Sequence, residues 1–366
     1  MKVESRLLSL DEVCVDRPLE GITDPDGMVG INDGRKAAFR NCPMWKDGGR
    51  LTQIVGIVGN EAIGRLNVFP LEVVADGKVF SAVCGDSLFV REKFRNTLYA
   101  VSLMTRLNTI SGDRLSLSAG FSPKARQVIK AIRNTVFLLK KYIVVRRTRS
   151  ILPTFGRRRL LSKFSWLFDL MLAPYHFIMR MANRVKIRGF QFEEIPVDDR
   201  KALAEFAKLI ENDEHRFREN MTSEVLDWIL HNDFVQDRLI AKRIFGYKKG
   251  GRYVAFIMTR EGRTPSGCRT GRVFEWQTQR EYRKYEPYFL LDVMYRSAES
   301  KLDCMAIEVG DEDAPNYSVF KGFLLGGIAS VISIGVGKDS PFKACEGYGE
   351  MANWRLRSGM GDLCFW

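Results

Sequence analysis

The chain has 366 residues, 45% of them hydrophobic, which is too many for one ordinary core and predicts two domains. Seven scattered cysteines without a C-x-x-C pair, and only three histidines, argue against a disulfide framework or a structural zinc site, so a reducing compartment is expected. The net charge of +13 is local, because fourteen Lys/Arg and no Asp/Glu lie between Arg114 and Phe168 and the rest of the chain carries −1.

The N-terminal segment carries charges inside the stretch that a secretory signal would keep apolar, so we expect no signal peptide. The longest apolar stretch, 164–181, contains Asp169, Pro174, His176 and Arg180, whereas a spanning helix needs about 20 predominantly apolar residues. The sequence therefore predicts a cytoplasmic protein whose contact with a membrane, if any, is peripheral.

Strand and helix patterns alternate along the first part of the chain and predict a mixed α/β domain over residues 1–145. Asp76-Gly77 is a hairpin signal between two strands, and Ser122 with Pro123 fits the cap and first position of a helix. Strand-like runs cover 7–13, 51–58, 64–75, 79–90, 114–118 and 135–145, and helical runs cover 34–40, the residues after 95 and 124–132.

The most informative stretch is 82–100, a buried strand that leads into a short polar loop and then a helix. The loop carries Arg95, Asn96 and Thr97 where the helix should begin. Unpaired backbone N–H groups and the positive end of the helix would therefore face whatever lies beyond the strand, which predicts an anion site.

The spacing from Val90 to Ala100 resembles the pyrophosphate-binding signature of the GNAT acyltransferase superfamily, V-x-P-x-x-R/Q-x-x-G-x-G/A, whose ligand is coenzyme A. Arg95 and Ala100 match, while Glu92 replaces the proline and Leu98 replaces the first glycine. That glycine lets backbone approach phosphate closely, so Arg95 is expected to supply charge in its place. The resemblance implies an acyl-CoA site made by Leu88, Phe89, Val90, Arg95, Asn96, Thr97, Leu98, Tyr99, Ala100 and Ser122.

A second GNAT segment, N-x-x-A-x-x-x-Y, is similar to the residues from Ser122 to Ile129. Ala125 matches, Ser122 stands for the asparagine, and Ile129 replaces the tyrosine that often serves as the family's general acid. The order of strands and helices over 1–145 also resembles the GNAT fold. The resemblance implies direct transfer of an acyl group, most simply acetyl, from acetyl-CoA or another acyl-CoA to an amine, with no metal.

Acyl transfer to an amine needs a base, and two carboxylates are candidates. Asp86 ends the strand that leads into the loop, and Glu72 lies among apolar residues on the preceding strand. Burial suits a carboxylate for general-base work, so Glu72 is the stronger candidate. Either could instead be a solvated strand-end carboxylate or a salt-bridge partner. Cys84 lies in mid-strand and is expected to be a core cysteine.

Residues 146–184 predict a basic, amphipathic, helical linker. Pro153 and Gly156 break its start, and apolar residues then recur at helical spacing: Leu160, Leu161, Phe164, Leu167, Phe168 and Met171. The segment has more Lys and Arg residues than binding the phosphates of coenzyme A would need. A basic start with an aromatic-rich apolar face fits peripheral contact with an anionic membrane, and a helix packed between domains fits equally well. Nucleic acid is the least favoured partner.

Residues 185–366 show a similar order of strands and helices, but less clearly. They predict a second, degenerate GNAT-like domain without a phosphate-loop signature. Glu275 lies in an apolar strand where GNAT domains often hold their base, and Tyr282 belongs to a Tyr-rich helix or loop over 282–299. Both are candidates for binding the acceptor, although Glu275 could equally pair with a nearby arginine and the tyrosine could belong to the core.

The predicted protein is thus an α/β acyltransferase of two tandem GNAT-like domains, expected as a monomer that is a pseudo-dimer of domains. Its acceptor is expected to be a small-molecule or glycan amine, such as an amino sugar or an amino-acid-like compound. The alternative is a non-catalytic protein that keeps the GNAT scaffold to bind a membrane surface or a protein partner. Leu98 and Ile129, the departures from the family pattern, favour that alternative.

Overall fold

The structure is a computed structural model of the chain. It describes residues 4–14, 20–24, 27–31, 33–45, 51–95, 98–118, 132, 134–145, 147, 165–232, 239–264, 267–299, 302–310, 316–317, 330–337, 339–355 and 357. For Asp86, Leu239, Ala298, Glu299, Ser330 and Val331 it describes the backbone alone.

The described strands are β1 (Glu4–Ser9), β2 (Leu51–Val58), β3 (Glu61–Ala75), β4 (Lys78–Val90), β5 (Leu115–Ser118), β6 (Thr135–Val145), β7 (Gln191–Ile195), β8 (Phe217–Glu219), β9 (Leu239–Lys249), β10 (Arg252–Arg263), β11 (Arg269–Thr278), β12 (Cys304–Gly310) and β13 (Ser330–Val336). The α-helices are α1 (Leu10–Cys14), α2 (Asp33–Arg40), α3 (Tyr99–Ser111), α4 (Ser165–Lys186), α5 (Arg200–Glu211), α6 (Ser223–His231) and α7 (Glu286–Glu299). Short 3-10 helices cover Glu92–Phe94, Arg280–Tyr285, Pro341–Ala344 and Met351–Asn353.

Local turn and cap chemistry explains where several elements begin and end. The hairpin predicted at Asp76-Gly77 is confirmed, with φ of 49° and 77° at the two residues, as a type I′ turn requires. Thr222 caps α6 by accepting from the Val225 N–H, and Asp199 caps α5 with a side chain that accepts from two backbone N–H groups.

The strand predicted over 7–13 is wrong in its second half. Strand β1 ends at Ser9, and a capping box then starts α1: the Ser9 N–H donates to the Glu12 carboxylate (2.8 Å) while the Glu12 N–H donates to Ser9 Oγ (3.3 Å). The helix predicted over 124–132 lies outside the described residues, apart from Ile132.

The chain divides into two compact units, each assembled from separate segments. Unit 1 contains Met1–Leu138, Glu214–Val235 and Ser330–Trp366, and unit 2 contains Leu139–Asp213 and Gln236–Ala329.

Unit 1 is built on a mixed sheet with the order β1-β2-β3-β4-β5-β13, and β8 adds to the part of β3 beyond β2. All pairs are antiparallel except β4 and β5, which are parallel and are joined by α3. Helix α3 buries Leu103, Met104 and Leu107 against the sheet, together with Leu66 and Val90. This packing fixes where α3 begins relative to the end of β4.

Unit 2 repeats this plan with the strand order β7-β9-β10-β11-β12-β6. Here β11 and β12 are the parallel pair, α7 connects them, and the other pairs are antiparallel. Trp276, Phe289 and Tyr247 are among the buried residues of its core. The mixed α/β fold expected from the sequence is confirmed.

Each unit is completed by a strand from the other half of the chain. In unit 1 the outer neighbour of β5 is β13, with Ser333 opposite Ser118. In unit 2 the outer neighbour of β12 is β6, with Glu308 opposite Lys141. The predicted domains 1–145 and 185–366 are consecutive segments, whereas the compact units exchange these strands.

Among the described helices, none is both long enough and apolar enough to cross a membrane.

Candidate acyl-CoA site

The main irregularity of the unit 1 sheet lies at the end of β4. Strands β4 and β5 pair up to Gly85 and Ser118, and beyond that point no described strand pairs with β4 on this side. On its other side β4 stays paired with β3, but Ser87 and Leu88 together lie opposite the single residue Leu66. This is a β-bulge, with φ of 53° at Ser87, so two parallel strands separate where one of them is bulged.

A backbone peptide group and a cation meet at the open edge of β4. The Arg91 N–H donates to the Ile63 carbonyl of β3 (2.9 Å), so strand alternation directs the N–H and C=O of Val90 to the opposite side. Arg95 Nε donates to the Val90 carbonyl (2.9 Å), and the guanidinium lies 5.7 Å from the centre of the Phe89 ring.

Helix α3 begins nine residues after the end of β4, with Leu98 at the cap position. The Leu98 side chain makes no cap hydrogen bond, and the first turn of an α-helix presents backbone N–H groups of the kind that bind anions. The Leu98 side chain is 78% exposed and points into solvent. Phe94 and Tyr99 stack edge to face with ring centres 5.4 Å apart, which ties the preceding 3-10 helix to α3.

A buried arginine that the sequence analysis missed holds the end of β4 in place. Arg91 is 7% exposed, and its guanidinium contacts Glu61 (2.6 Å) and Asp24 (3.3 Å). Lys93 also contacts Glu61 (3.0 Å), and these two cations lower the pKa of Glu61, Lys93 most strongly through its hydrogen bond. No local sequence pattern indicates this cluster, because its members come from separate segments of the chain.

A second missed arginine reaches the bulge itself. Arg35 of α2 is nearly buried, and its Nη1 donates to Ser87 Oγ (3.0 Å) across 52 residues of sequence. Next to the bulge, Gln53 Nε2 donates to Asn67 Oδ1 (2.8 Å), and both amides are fully buried. Polar groups therefore surround the bulge within an otherwise apolar sheet.

The two base candidates lie at different distances from the bulge. Asp86 pairs with Asn67 and directly precedes Ser87. Glu72 lies five residues further along β3 than Asn67, which is about 17 Å at the rise of an extended strand. Its carboxylate accepts from Asn220 Nδ2 (2.7 Å) and its carbonyl accepts from the Asn220 N–H (2.9 Å).

The structure therefore brings together Leu88, Phe89, Val90, Arg95, Leu98, Tyr99 and Ala100 with the backbone of Asp86, and it places Glu72 elsewhere on β3. Asn96, Thr97 and Ser122 lie outside the described residues.

Unit 2 contains a comparable strand separation. The parallel pairing of β11 and β12 ends at Val273 and Ile307, and Phe274 is the extra residue of a bulge against β10. Glu275 follows directly, is 2% exposed, and accepts from the Trp276 N–H (2.8 Å). The acceptor candidate Glu275 thus lies two residues beyond the last parallel pair of its strand, as Ser87 does in unit 1.

The second acceptor candidate, Tyr282, lies in the 3-10 helix before α7. Its ring packs edge to face on Phe190 (5.8 Å between centres), and Lys249 Nζ lies 5.3 Å from the ring centre. A polar cluster lies nearby in sequence, where Gln277 Nε2 donates to Asp213 (2.6 Å) and Arg283 contacts the same carboxylate (3.2 Å). These contacts place Tyr282 at the edge of the unit 2 core.

Cys84 is fully buried, as expected for a core cysteine. No group of three or more His, Cys, Asp or Glu side chains in the described part of the chain could hold a metal ion.

Comparison with protein-family models gave no match, and comparison with curated protein sequences gave none either. Among solved structures, Saccharomyces cerevisiae N-myristoyltransferase with bound myristoyl-CoA matches with a TM-score of 0.54 and 11% identity, over 93% of this chain and 80% of that chain. A second structure of that enzyme with myristoyl-CoA gives a TM-score of 0.53 and 10% identity, over 93% and 84%.

A GCN5-related N-acetyltransferase from Anabaena variabilis matches with a TM-score of 0.46 and 10% identity, over 83% of this chain and 66% of its own length. The likeness to the yeast enzyme shows that this chain has the GNAT fold, as the sequence resemblance implied.

Proposed function

We propose that this protein is an acyl-CoA-dependent N-acyltransferase whose donor site lies at the open edge of β4. The observation that carries the proposal is the separation of two parallel strands at a bulge, with the Val90 peptide group and the Arg95 guanidinium on the open edge. The yeast structures with the same fold contain bound myristoyl-CoA, which supports an acyl-CoA as the ligand class.

Each part of an acyl-CoA has a chemical counterpart at this edge. The pantetheine arm is an extended chain with two amides, and it can pair with the N–H of Val90 and with the backbone of Leu88, while Phe89, whose backbone faces β3, would line the arm with its side chain. The pyrophosphate suits a guanidinium next to a helix N-terminus, so Arg95 and the N–H groups from Leu98 to Ala100 would hold it. Backbone N–H groups at the bulge would polarise the thioester carbonyl.

The reaction is a direct transfer in a ternary complex. The neutral amine attacks the thioester carbon, a C–N bond forms, the C–S bond breaks, and the amine proton passes to a carboxylate while the thiolate takes a proton from solvent. Keeping an amine neutral at pH 7 costs about 4.6 kcal/mol for a lysine-like group but about 1 kcal/mol for an α-amino group. An α-amine or an amino sugar therefore needs only a weak base.

Asp86 is the base we favour, because its backbone directly precedes the bulge, whereas Glu72 lies about 17 Å along the strand. Glu275 and Tyr282 are the proposed acceptor-binding residues of unit 2, and the proposed acceptor is a small-molecule or glycan amine. Acetyl is the simplest acyl group, and myristoyl is included in the test because of the yeast neighbour.

Calorimetric titration with acetyl-CoA and myristoyl-CoA tests the donor site. We expect binding that weakens at least tenfold in Arg95→Glu, because the substitution replaces the phosphate-facing cation with an anion. Lys78→Glu is the matched control, since it makes the same charge change on an exposed residue at the other end of β4. No binding of either ligand at millimolar concentration would favour the non-catalytic alternative.

Thiol release with a panel of α-amines, amino sugars and lysine-like amines tests the transfer. We expect a lower kcat in Asp86→Asn, with acyl-CoA affinity unchanged, and a near-normal kcat in Glu72→Gln. The opposite pattern would make Glu72 the base.

A further inference from the structure

Helix α4 exposes an apolar face to solvent. Nine of the fourteen large apolar side chains that are strongly exposed in the described chain lie on this one helix, all more than 40% exposed, among them Trp166, Leu170, Met171, Phe177 and Ile178. The helix has 22 residues and is therefore about 33 Å long. Monomeric proteins rarely leave so long an apolar surface uncovered.

The orientation of α4 is fixed by its inner face, so its apolar face cannot simply turn inward. His176 Nε2 donates to the Val145 carbonyl (2.7 Å), and its Nδ1 lies 3.3 Å from the Tyr295 hydroxyl. About two turns further on, Asn183 is buried and its Nδ2 donates to the Tyr288 carbonyl (3.0 Å).

The polarity of the helix is the reverse of that of an ordinary surface helix. Asp169 and Arg180 lie on the partly buried side, close in angle to His176 and Asn183. The outward side carries no charged residue between Trp166 and Ala182. Exposure of this face to water is therefore unfavourable.

Cations flank the apolar face at both ends of the helix. Arg184, Lys186 and Arg188 follow it and are exposed. In the sequence, residues 146–163 precede it with seven Lys/Arg and no Asp/Glu. Two copies of this chain would bring like charges together, whereas an anionic surface would complement them. An apolar helix face bordered by cations is the composition of helices that lie in a bilayer interface.

We propose that α4 docks this protein on an anionic lipid bilayer, with Trp166, Leu170, Phe177 and their neighbours inserted at the level of the headgroups and upper acyl chains. The flanking cations contact the lipid phosphates and carboxylates. This surface shares no residue with the proposed acyl-CoA site, and the docking does not depend on the proposed reaction.

Flotation with phosphatidylcholine vesicles, with and without phosphatidylserine, tests the docking on the full-length protein. We expect binding to the anionic vesicles that falls at least tenfold in the double variant Leu170→Glu/Phe177→Glu. The matched control is Val79→Glu/Ile240→Glu, which adds the same charge at exposed apolar residues outside α4 and should bind normally. Thermal unfolding of each variant shows that it is folded.

Two further variants separate the apolar and the electrostatic contributions. Replacing Arg184, Lys186 and Arg188 by glutamine should weaken binding about fivefold for each cation that reaches the headgroups. The tryptophan fluorescence of the protein should shift to the blue on anionic vesicles, and the shift should shrink in Trp166→Phe, which removes the tryptophan expected to enter the bilayer.

The proposal is overturned if the wild type does not float with anionic vesicles, if both double variants bind as it does, or if the control loses binding equally. A wild-type dimer in analytical ultracentrifugation that Leu170→Glu/Phe177→Glu dissociates, without vesicle binding, would overturn it in favour of a second copy of this chain.

Discussion

Gly85 is the last residue of β4 that pairs with β5, and the space around it admits no side chain. A Cβ built there would lie 2.7 Å from Leu107 Cδ2 and 2.9 Å from Ser118 Oγ. Leu107 and Ser118 are both buried, so neither can move aside freely. The glycine thus lets α3 and β5 approach β4 just before the two strands separate.

We therefore expect Gly85→Ala to lower the free energy of unfolding by about 1–3 kcal/mol, the usual cost of overpacking a buried site. Denaturant titration measures the change. Gly30→Ala is the control, because its Cβ would meet only the Gly27 carbonyl oxygen at 3.8 Å. Equal stability of the two variants would show that the sheet can shift at Gly85.

At the scale of structural elements, the proposed donor site depends on the ion cluster at the end of β4 as much as on the residues that would touch the ligand. Arg91 lies between the bulge and the 3-10 helix, and Glu61 accepts from both Arg91 and Lys93. These contacts hold the segment that carries Arg95 close to Val90. Loss of the cluster should therefore loosen the site without removing any ligand contact.

The lowered pKa of Glu61 gives this cluster a defined pH dependence. A carboxyl whose folded-state pKa is depressed stabilises the fold above its unfolded value and loses that contribution as the pH falls through the folded pKa. We expect Glu61→Gln to reduce stability near neutral pH and to match the wild type at acid pH, below the lowered pKa. Denaturant titrations across this range check it.

Glu205→Gln, at an exposed position on α5, serves as the control for removing one carboxylate. A stability difference between Glu61→Gln and the wild type that stays constant down to the lowest pH would contradict the assignment of the shift to the ion cluster.

Sequence reasoning located the local elements well, because hairpin chemistry and periodicity are encoded in neighbouring residues. Asp76-Gly77 and the strand before the loop are examples. It missed Arg35 and Arg91, whose partners lie 52 and 30 residues away in the chain. It also favoured Glu72 as the base because its neighbours in the sequence are apolar. Apolar neighbours indicate burial, but they do not indicate how far a residue lies from the bulge. Which residues face each other across a sheet depends on the register of its strands, and the local sequence pattern does not determine that register.

At the scale of the whole molecule, the exchange of β6 and β13 makes each unit depend on both halves of the chain. An aromatic cluster in unit 1 shows this directly: Phe217 contacts Trp354 (5.0 Å between ring centres) and Phe342 (5.5 Å), and Phe342 contacts Phe80 (5.4 Å). Phe80 comes from β4, whereas the other three residues follow residue 213. Phe217, Phe342 and Trp354 are almost fully buried.

A fragment ending at residue 145 would lack β8, β13 and these three aromatic residues. At about 200 Å² and 25 cal/mol per Å² each, their burial is worth up to about 15 kcal/mol, as large as the whole stability of a typical protein. We therefore expect fragment 1–145 alone to show no cooperative unfolding transition by circular dichroism. Co-expression with 146–366 should restore it.

The full chain with a protease site inserted at Pro153 provides the matched experiment, since it cuts the same connection after folding. Because unit 1 then holds segments from both fragments, we expect the cut protein to elute as one particle in gel filtration under native conditions and to separate only in denaturant. Two independently folded fragments would mean that the strand exchange is not required for stability, and that the consecutive domains 1–145 and 185–366 describe the folding units better.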